Sequence, residues 1–325
     1  MANRVDIKEN YIFDLDSRLL DILLKDNTTG SNILWATDNY EQFGLLYNSN
    51  KPILPYLITG KNGEIVKPRV KKSKSEQQLR IRGKAEVFTP SWVCNCQNNL
   101  IDDAWFGFKG VFNEESGKSW KTNLEPIDFS KTDGKTWQDY VADIRLEITC
   151  GEAPYLVSRY DTVTGNEIKI SDRIGLLDRK LRVICENVND KANWYNWAVK
   201  AFQSVYGYEW QGDNLLLARE NILYTFIDYF KYKFNEEPSL QQLMEIAEII
   251  SWNIWQMDGL KFVIPNSCIN ETEVQLSLLD AKPTGIVCEG CAKNRPYKHN
   301  GIYCKIKNWE TKRAIKFVSF LGRNK

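Results

Sequence analysis

Three short strand-like segments, separated by helical ones, constrain the fold of this chain most. They are IRLEIT (144–149), SVYGYEW (204–210) and NIWQMD (253–258). Helical patterns lie before and between them. Asp16 or Ser17 can cap DLDSRLLDILLK (14–25), Thr89-Pro90 is a helix entrance, and Ser239 is the N-cap of SLQQLMEIAEII. Strands that alternate with helices are typical of a parallel, doubly wound α/β sheet. The apolar segment IKFVSFL (315–321) predicts a fourth strand.

The ends of these strands carry residues that suit a nucleoside-bearing cofactor. Open parallel sheets bind ligands at the carboxyl ends of their strands. The Cys150-Gly151 pair after the first strand has little side-chain bulk, so the backbone can approach a ligand closely. Glu209 ends the second strand and can accept hydrogen bonds from two ribose hydroxyls. Asp258 ends the third strand and can meet the edge of an adenine ring. The alternative is a doubly wound domain in which Cys150 and Asp258 are merely buried or capping residues.

At these residues the chain resembles the gamma-class adenine-N6 DNA methyltransferases, a family that includes modification subunits of restriction systems. The segment from Glu147 through Cys150-Gly151 to Pro154-Tyr155-Leu156 matches the family's first cofactor motif. EVFTP (86–90) matches a preceding motif, YGYEW (206–210) the ribose-binding motif, and MDGL (257–260) the adenine-binding motif. The resemblance implies a Rossmann-like core that binds S-adenosylmethionine and acts on DNA. The cofactor residues it implies are Phe88, Thr89, Pro90, Glu147, Cys150, Gly151, Glu209, Trp210 and Asp258.

The family's catalytic tetrapeptide, Asn-Pro-Pro-Tyr or Asn-Pro-Pro-Phe, is absent from the sequence. Such a motif accepts hydrogen bonds from the target amino group and stacks an aromatic ring on the flipped base. The nearest match is NRPY (294–297), which makes Asn294 and Tyr297 the catalytic candidates, although Asn and Pro together also mark simple turns. We therefore expect a partner chain, such as a separate specificity or restriction subunit, to supply target recognition or catalytic residues.

A cluster of cysteines around the only histidine predicts a structural zinc site, and the alternative is a group of free thiols. The spacing C-x2-C-x7-H-x4-C places Cys288, Cys291, His299 and Cys304 as four tetrahedral ligands, and Cys268 could replace one of them. Four protein ligands leave no open coordination position, so the expected role is in folding. NRPY lies inside this cluster, which favours its reading as a turn.

A basic run from Lys67 to Lys84 holds eight basic residues and one acidic residue, whereas the whole chain has a net charge of only +1. The run is either a solvated loop or an arm that contacts phosphates. In the second interpretation, DNA contacts come from Lys71, Lys72, Lys74, Arg80 and Arg82.

The 325 residues divide into three expected parts. Residues 1–84 form an N-terminal extension with the basic arm, 85–265 a methyltransferase-like core, and 266–325 a zinc-binding insertion with the last core strand. No apolar run reaches the ~20 residues that span a bilayer, and the N-terminus lacks the apolar core of a signal peptide, so we expect a cytoplasmic protein. Two functions remain open: a methylating subunit of a restriction-modification system, or an inactive module that binds nucleic acid or a partner.

Overall fold

The structure is a computed structural model, and it describes residues 9–84, 86–87, 89–274 and 283–322. Phe88, one of the expected cofactor residues, lies outside the described residues. In the described part of the chain, no helix is long and apolar enough to cross a membrane.

The described elements are eleven helices and nine strands. The helices are α1 (Glu9–Leu15), α2 (Ser17–Leu24), α3 (Pro55–Ile58), α4 (Lys74–Lys84), α5 (Ser91–Phe106), α6 (Trp137–Ala142), α7 (Leu176–Asn187), α8 (Lys191–Gln203), α9 (Gly212–Phe234), α10 (Leu240–Asn253) and α11 (Glu289–Lys293). The strands are β1 (Asn113–Ser116), β2 (Ser119–Thr122), β3 (Arg145–Glu147), β4 (Val205–Glu209), β5 (Ile254–Gln256), β6 (Glu271–Val274), β7 (Pro283–Ile286), β8 (Lys305–Asn308) and β9 (Arg313–Lys316).

A parallel three-stranded sheet lies at the centre of this mixed α/β fold. Its strand order is β3-β4-β5, with Glu147 opposite Gly207 and Glu209 opposite Gln256. The three strands predicted from the sequence are therefore confirmed. All three run in the same direction, so Glu147 and Glu209 end their strands at the same edge of the sheet.

Helix α9 forms the centre of the apolar core, and most of its residues are buried. Helices α7 and α10 pack against it, and Trp194 and Phe202 of α8 contact its phenylalanine rings. The same core includes Leu19 and Leu20 of α2, together with Trp35 of the following loop. The predicted caps are present: Asp16 accepts from the N–H of Arg18 at the start of α2, and Ser239 forms a capping box with Gln242.

The fourth core strand predicted at 315–321 is wrong. Only the first part of this segment is extended, as β9, and it pairs antiparallel with β8 rather than with the central sheet. Residues Phe317–Phe320 then form a 3-10 turn. The ring of Phe317 packs against Trp255 of β5, with ring centroids 5.1 Å apart. Phe317 thus packs across the face of a strand without adding a strand to the sheet, whereas Phe320 and Leu321 at the end of the run are exposed.

One edge of the central sheet is open. Among the described strands, β3 pairs only with β4. Around this strand, Ile144, Leu146 and Ile148 alternate along one face and expose 69%, 44% and 63% of their surface. Unpaired strand edges with apolar side chains are normally covered in a working assembly.

Candidate functional site

The turn that follows β3 has an unusual backbone. Thr149, Gly151 and Ala153 all have positive φ angles, of 48°, 53° and 63°. The N–H of Cys150 donates to the Tyr208 carbonyl at 2.9 Å, which ties the turn to β4. A Cβ at Gly207 would lie 3.3 Å from the Cys150 side chain, so a glycine on the neighbouring strand lets the turn approach closely.

Two buried acids stand at the carboxyl ends of β3 and β4. Glu147 accepts hydrogen bonds from the N–H groups of Tyr155 (3.3 Å) and Leu156 (3.1 Å). Glu209 accepts from the N–H groups of Gly151 (2.9 Å) and Gln211 (3.0 Å). Burial raises the pKa of Glu147 to about 8, although both N–H groups act in the opposite direction. Burial also raises the pKa of Glu209.

A cleft of about 1150 Å³ opens beside this turn. It brings together most of the residues that the sequence indicated for a cofactor. These are Thr89, Glu147, Cys150, Gly151, Glu209 and Trp210. The volume is generous for a single small ligand, because binding clefts typically measure ~300–1,000 Å³.

Other parts of the chain contribute to the cleft walls, and sequence reasoning did not identify them. The most polar of these residues are Asp38, Glu41, Glu86, Asn98, Gln211, Asn214 and Asn266. The described lining has five carboxyl groups, from Asp38, Glu41, Glu86, Glu147 and Glu209, and no Lys, Arg or His. The lining residues that the sequence did not indicate come from separate loops and helices, which only the tertiary fold brings together.

Asp258 and Pro90 are not among the described residues that line the cleft. The Asp258 carboxylate instead closes its own turn, accepting from the N–H groups of Leu260 (3.0 Å) and Lys261 (3.1 Å). It also forms an ion pair with the Lys261 ammonium at 3.5 Å. Pro90 is the N-cap residue of α5, the helix entrance that its sequence position predicted. The structure therefore does not support Asp258 as a ligand for the adenine ring.

A second site lies outside the cleft, where three cysteines and the histidine meet. The ligand atoms of Cys268, Cys288, Cys291 and His299 all lie within 4.8 Å of one another. Cys288 is the N-cap of α11 and Cys291 lies within that helix. A Cβ at Gly290 would lie 2.6 Å from the His299 ring, so this glycine permits the approach of the imidazole.

The spacing of these atoms fits a tetrahedral zinc ion. With Zn–S bonds of about 2.3 Å and Zn–N bonds of about 2.05 Å, a sulfur and a nitrogen ligand lie about 3.6 Å apart. The His299 Nδ1 atom lies 3.5 Å from the sulfur of Cys288 and 3.6 Å from those of Cys268 and Cys291. Burial opposes ionisation of Cys288, but the N–H of Asn300 and other donors lower its pKa to about 6, which favours the thiolate that binds metals.

Cys304 is not a member of this cluster, so its assignment as the fourth ligand is wrong. Its thiol is fully buried and donates to the Gln256 carbonyl at 3.3 Å, beneath β5. Cys268 takes the fourth position from a loop that precedes the motif by about twenty residues. The local C-x2-C-x7-H spacing identified three members of the cluster, whereas the fourth depends on how the chain returns.

The two catalytic candidates lie on the surface near the metal cluster. Asn294 is the C-cap residue of α11, with a φ of 50°, and Tyr297 exposes 53% of its surface. Neither is among the described residues lining the cleft. The NRPY segment is therefore a turn that ends a helix, in agreement with the alternative reading of its sequence.

The basic run is only partly available to a nucleic acid. Lys71, Lys74 and Arg82 are exposed. Lys72 and Arg80 are buried and directed inward, so their assignment to DNA contacts is wrong. The Arg80 guanidinium bonds Glu86 (2.8 Å) and Asp213, and the Lys72 ammonium lies 3.4 Å from Asp213. Positive charge spaced along a sequence does not reveal which side chains a buried acid will attract.

No family model, no curated protein and no solved structure matches this chain.

Proposed function

We propose that this protein binds S-adenosylmethionine in the cleft and belongs to a system that methylates DNA, with a Rossmann-like core. The observation that carries the proposal is the cleft itself. Six of the nine residues indicated by the resemblance line one cavity at the carboxyl ends of parallel strands. This is where open α/β sheets bind ligands.

The charge of the cleft supports a cationic ligand. Its described lining contains five carboxyl groups and no basic side chain, and S-adenosylmethionine carries a sulfonium and an ammonium group. Glu147, which burial keeps protonated at neutral pH, contributes polarity rather than negative charge. A pyrophosphate-bearing dinucleotide would meet no cation here. Each oxygen of Glu209 holds one backbone N–H and keeps a lone pair that can accept from a ribose hydroxyl. When bound, the sulfonium supplies a transferable methyl group, and the residues of this chain hold and orient it.

A partner chain completes the proposed enzyme. The open edge of β3 and the exposed Ile144, Leu146 and Ile148 would accept a strand and an apolar cover from another polypeptide. Leu146 and Ile148 also line the cleft, so such a partner would reach the methyl donor. In this proposal the partner supplies target recognition and the catalytic contacts to the base.

Calorimetric titration with S-adenosylmethionine tests the binding step. We expect saturable heat for the wild type, and Glu209→Ala to weaken binding by roughly 10- to 100-fold, because a hydrogen bond to a charged group contributes about 1.5–3 kcal/mol. Glu310→Ala removes an exposed carboxylate outside the described cleft lining and serves as the matched control. Absence of binding heat from a folded wild type would reject the proposal.

The alternative function is a module that binds its ligands without methylating anything. The surface positions of Asn294 and Tyr297 favour it for the chain in isolation. A transfer assay with radiolabelled S-adenosylmethionine and duplex DNA separates the two functions. Methylation by the purified chain alone would exclude the inactive module. If that activity survives in Asn294→Ala, the NRPY segment has no catalytic role.

A further inference from the structure

The C-terminal segment 287–322 is strongly basic, although the charges of the whole chain nearly cancel. It contains eight Lys and Arg residues and two acids, whereas the whole chain has a net charge of +1. A zinc ion bound by three thiolates and a neutral imidazole would add one negative charge, and the segment would still be clearly positive. Such an asymmetry marks a surface for an anionic partner.

The β8–β9 ribbon concentrates this charge on one face. Lys305 lies directly opposite Lys316, and Lys307 follows on the same face. The other face carries Ile306, which packs against the apolar cluster around Trp255. Like charges in directly opposed positions destabilise a strand pair. Their presence here is understandable if an anion lies between them.

The cations of this ribbon are little neutralised by the protein. Lys307 has a carboxylate partner, Glu248, at 3.1 Å. By contrast, no ion pair with another described residue is formed by Lys305 and Lys316, by the exposed Lys312 of the connecting turn, or by the exposed Arg313 that begins β9. This differs from the 67–84 run, where Lys72 and Arg80 are held by buried acids.

Aromatic residues accompany the cations. The Lys316 ammonium lies 5.6 Å from the centre of the Tyr303 ring, and the Lys307 ammonium lies 4.4 Å from that of Trp309. Basic side chains interleaved with aromatic rings suit a polynucleotide, which offers phosphates and base faces together.

We propose that the β8–β9 ribbon, through Lys305, Lys316 and the turn residue Lys312, binds the phosphodiester backbone of nucleic acid. The ribbon takes the role that the sequence suggested for the 67–84 run. The inference names the nucleic-acid surface of the function proposed above, but it requires neither the cleft nor its ligand.

Fluorescence anisotropy with a labelled 20-base-pair duplex, and with one of its single strands, tests this proposal between 50 and 200 mM salt. The variant pair is Lys305→Gln/Lys316→Gln against Lys74→Gln/Arg82→Gln, which removes the same charge from exposed positions of the 67–84 run. Each lost phosphate contact lowers the slope of log K against log salt by about 0.9 for duplex and about 0.7 for single strands. We expect the ribbon variant to lose about 1.8 of slope on duplex, or about 1.4 on a single strand. Affinity at 100 mM salt should fall at least tenfold, with the control close to wild type.

Three results would overturn the proposal: no binding of either probe by the folded, metal-loaded wild type at 50 mM salt, equal losses in the two variants, or a larger loss in the control. Unchanged thermal stability and metal content verify that both variants are folded. The titration contains no S-adenosylmethionine, so its outcome is independent of the calorimetric test of the cleft. The two probes show whether duplex or single-stranded nucleic acid is preferred.

Discussion

The two cysteines that compete for the fourth metal position provide a sharp test of the structure. Cys268→Ser removes a sulfur that lies 3.6 Å from His299 Nδ1. Cys304→Ser changes a buried thiol that bonds the Gln256 carbonyl, and a serine hydroxyl preserves that donor. The substitutions are chemically identical, and only the position in the fold differs.

The magnitude follows from the free energy of a structural zinc site. Binding of about 10–16 kcal/mol shared among four ligands gives about 3 kcal/mol for each, or roughly a 100-fold loss of affinity. We expect this loss for Cys268→Ser and a change of less than about threefold for Cys304→Ser. Competition with a chromogenic chelator measures the affinity, and elemental analysis gives the zinc content of the purified proteins.

The reasoning is refuted if Cys304→Ser loses zinc while Cys268→Ser retains it, as the sequence spacing alone would predict. Equal zinc retention in both variants would show that Cys268 is not a ligand. Thermal unfolding of each variant with and without excess zinc separates a lost ligand from a damaged fold, because added metal stabilises only a protein that can still bind it.

Two further predictions concern buried ionisable side chains. Glu147 keeps its proton up to about pH 8 in the folded state and loses it near 4.5 when unfolded, so its contribution to stability falls as pH rises between these values. Urea titration between about pH 5.5 and 7 measures the free energy of unfolding. We expect it to fall with pH more steeply in wild type than in Glu147→Gln, by about 1.4 kcal/mol per pH unit. Parallel curves would exclude a protonated Glu147. Arg80→Met removes a partner of the buried acids Glu86 and Asp213, and it should lower the free energy of unfolding by about 3–5 kcal/mol. The control Arg82→Met, at an exposed position, should lower it by about 0.5 kcal/mol or less. Equal effects would show that Arg80 is not buried in solution.

Features set by neighbouring residues could be predicted from the sequence. The three strands, the caps at Asp16 and Ser239, and the helix entrance at Pro90 all depend on local patterns. The Cys150-Gly151 turn and Glu209 lie on one cleft because parallel strands end at the same edge of a sheet. Local pattern and global fold agree at these positions.

The remaining features depend on contacts between distant segments. Cys268 rather than Cys304 joins the cluster because the chain folds back and places Cys268 beside His299. Arg80 is directed inward because Asp213, which is distant in sequence, lies beneath it. The segment 315–321 has the composition of a strand, but its Phe317 packs on the ring of Trp255, a contact that the local sequence does not reveal. Asp258 follows a strand end, but its carboxylate accepts a hydrogen bond from the backbone of its own turn.

Tyr303 gives the metal cluster a direct connection to the central sheet. Its hydroxyl accepts from the N–H of His299 and donates to the Pro296 carbonyl, while its backbone bridges to Val263, which in turn bridges to Asp258 just after β5. The ribbon and the cleft are therefore both anchored to the central sheet. A polynucleotide bound to the ribbon would present its bases at a fixed distance from the cleft.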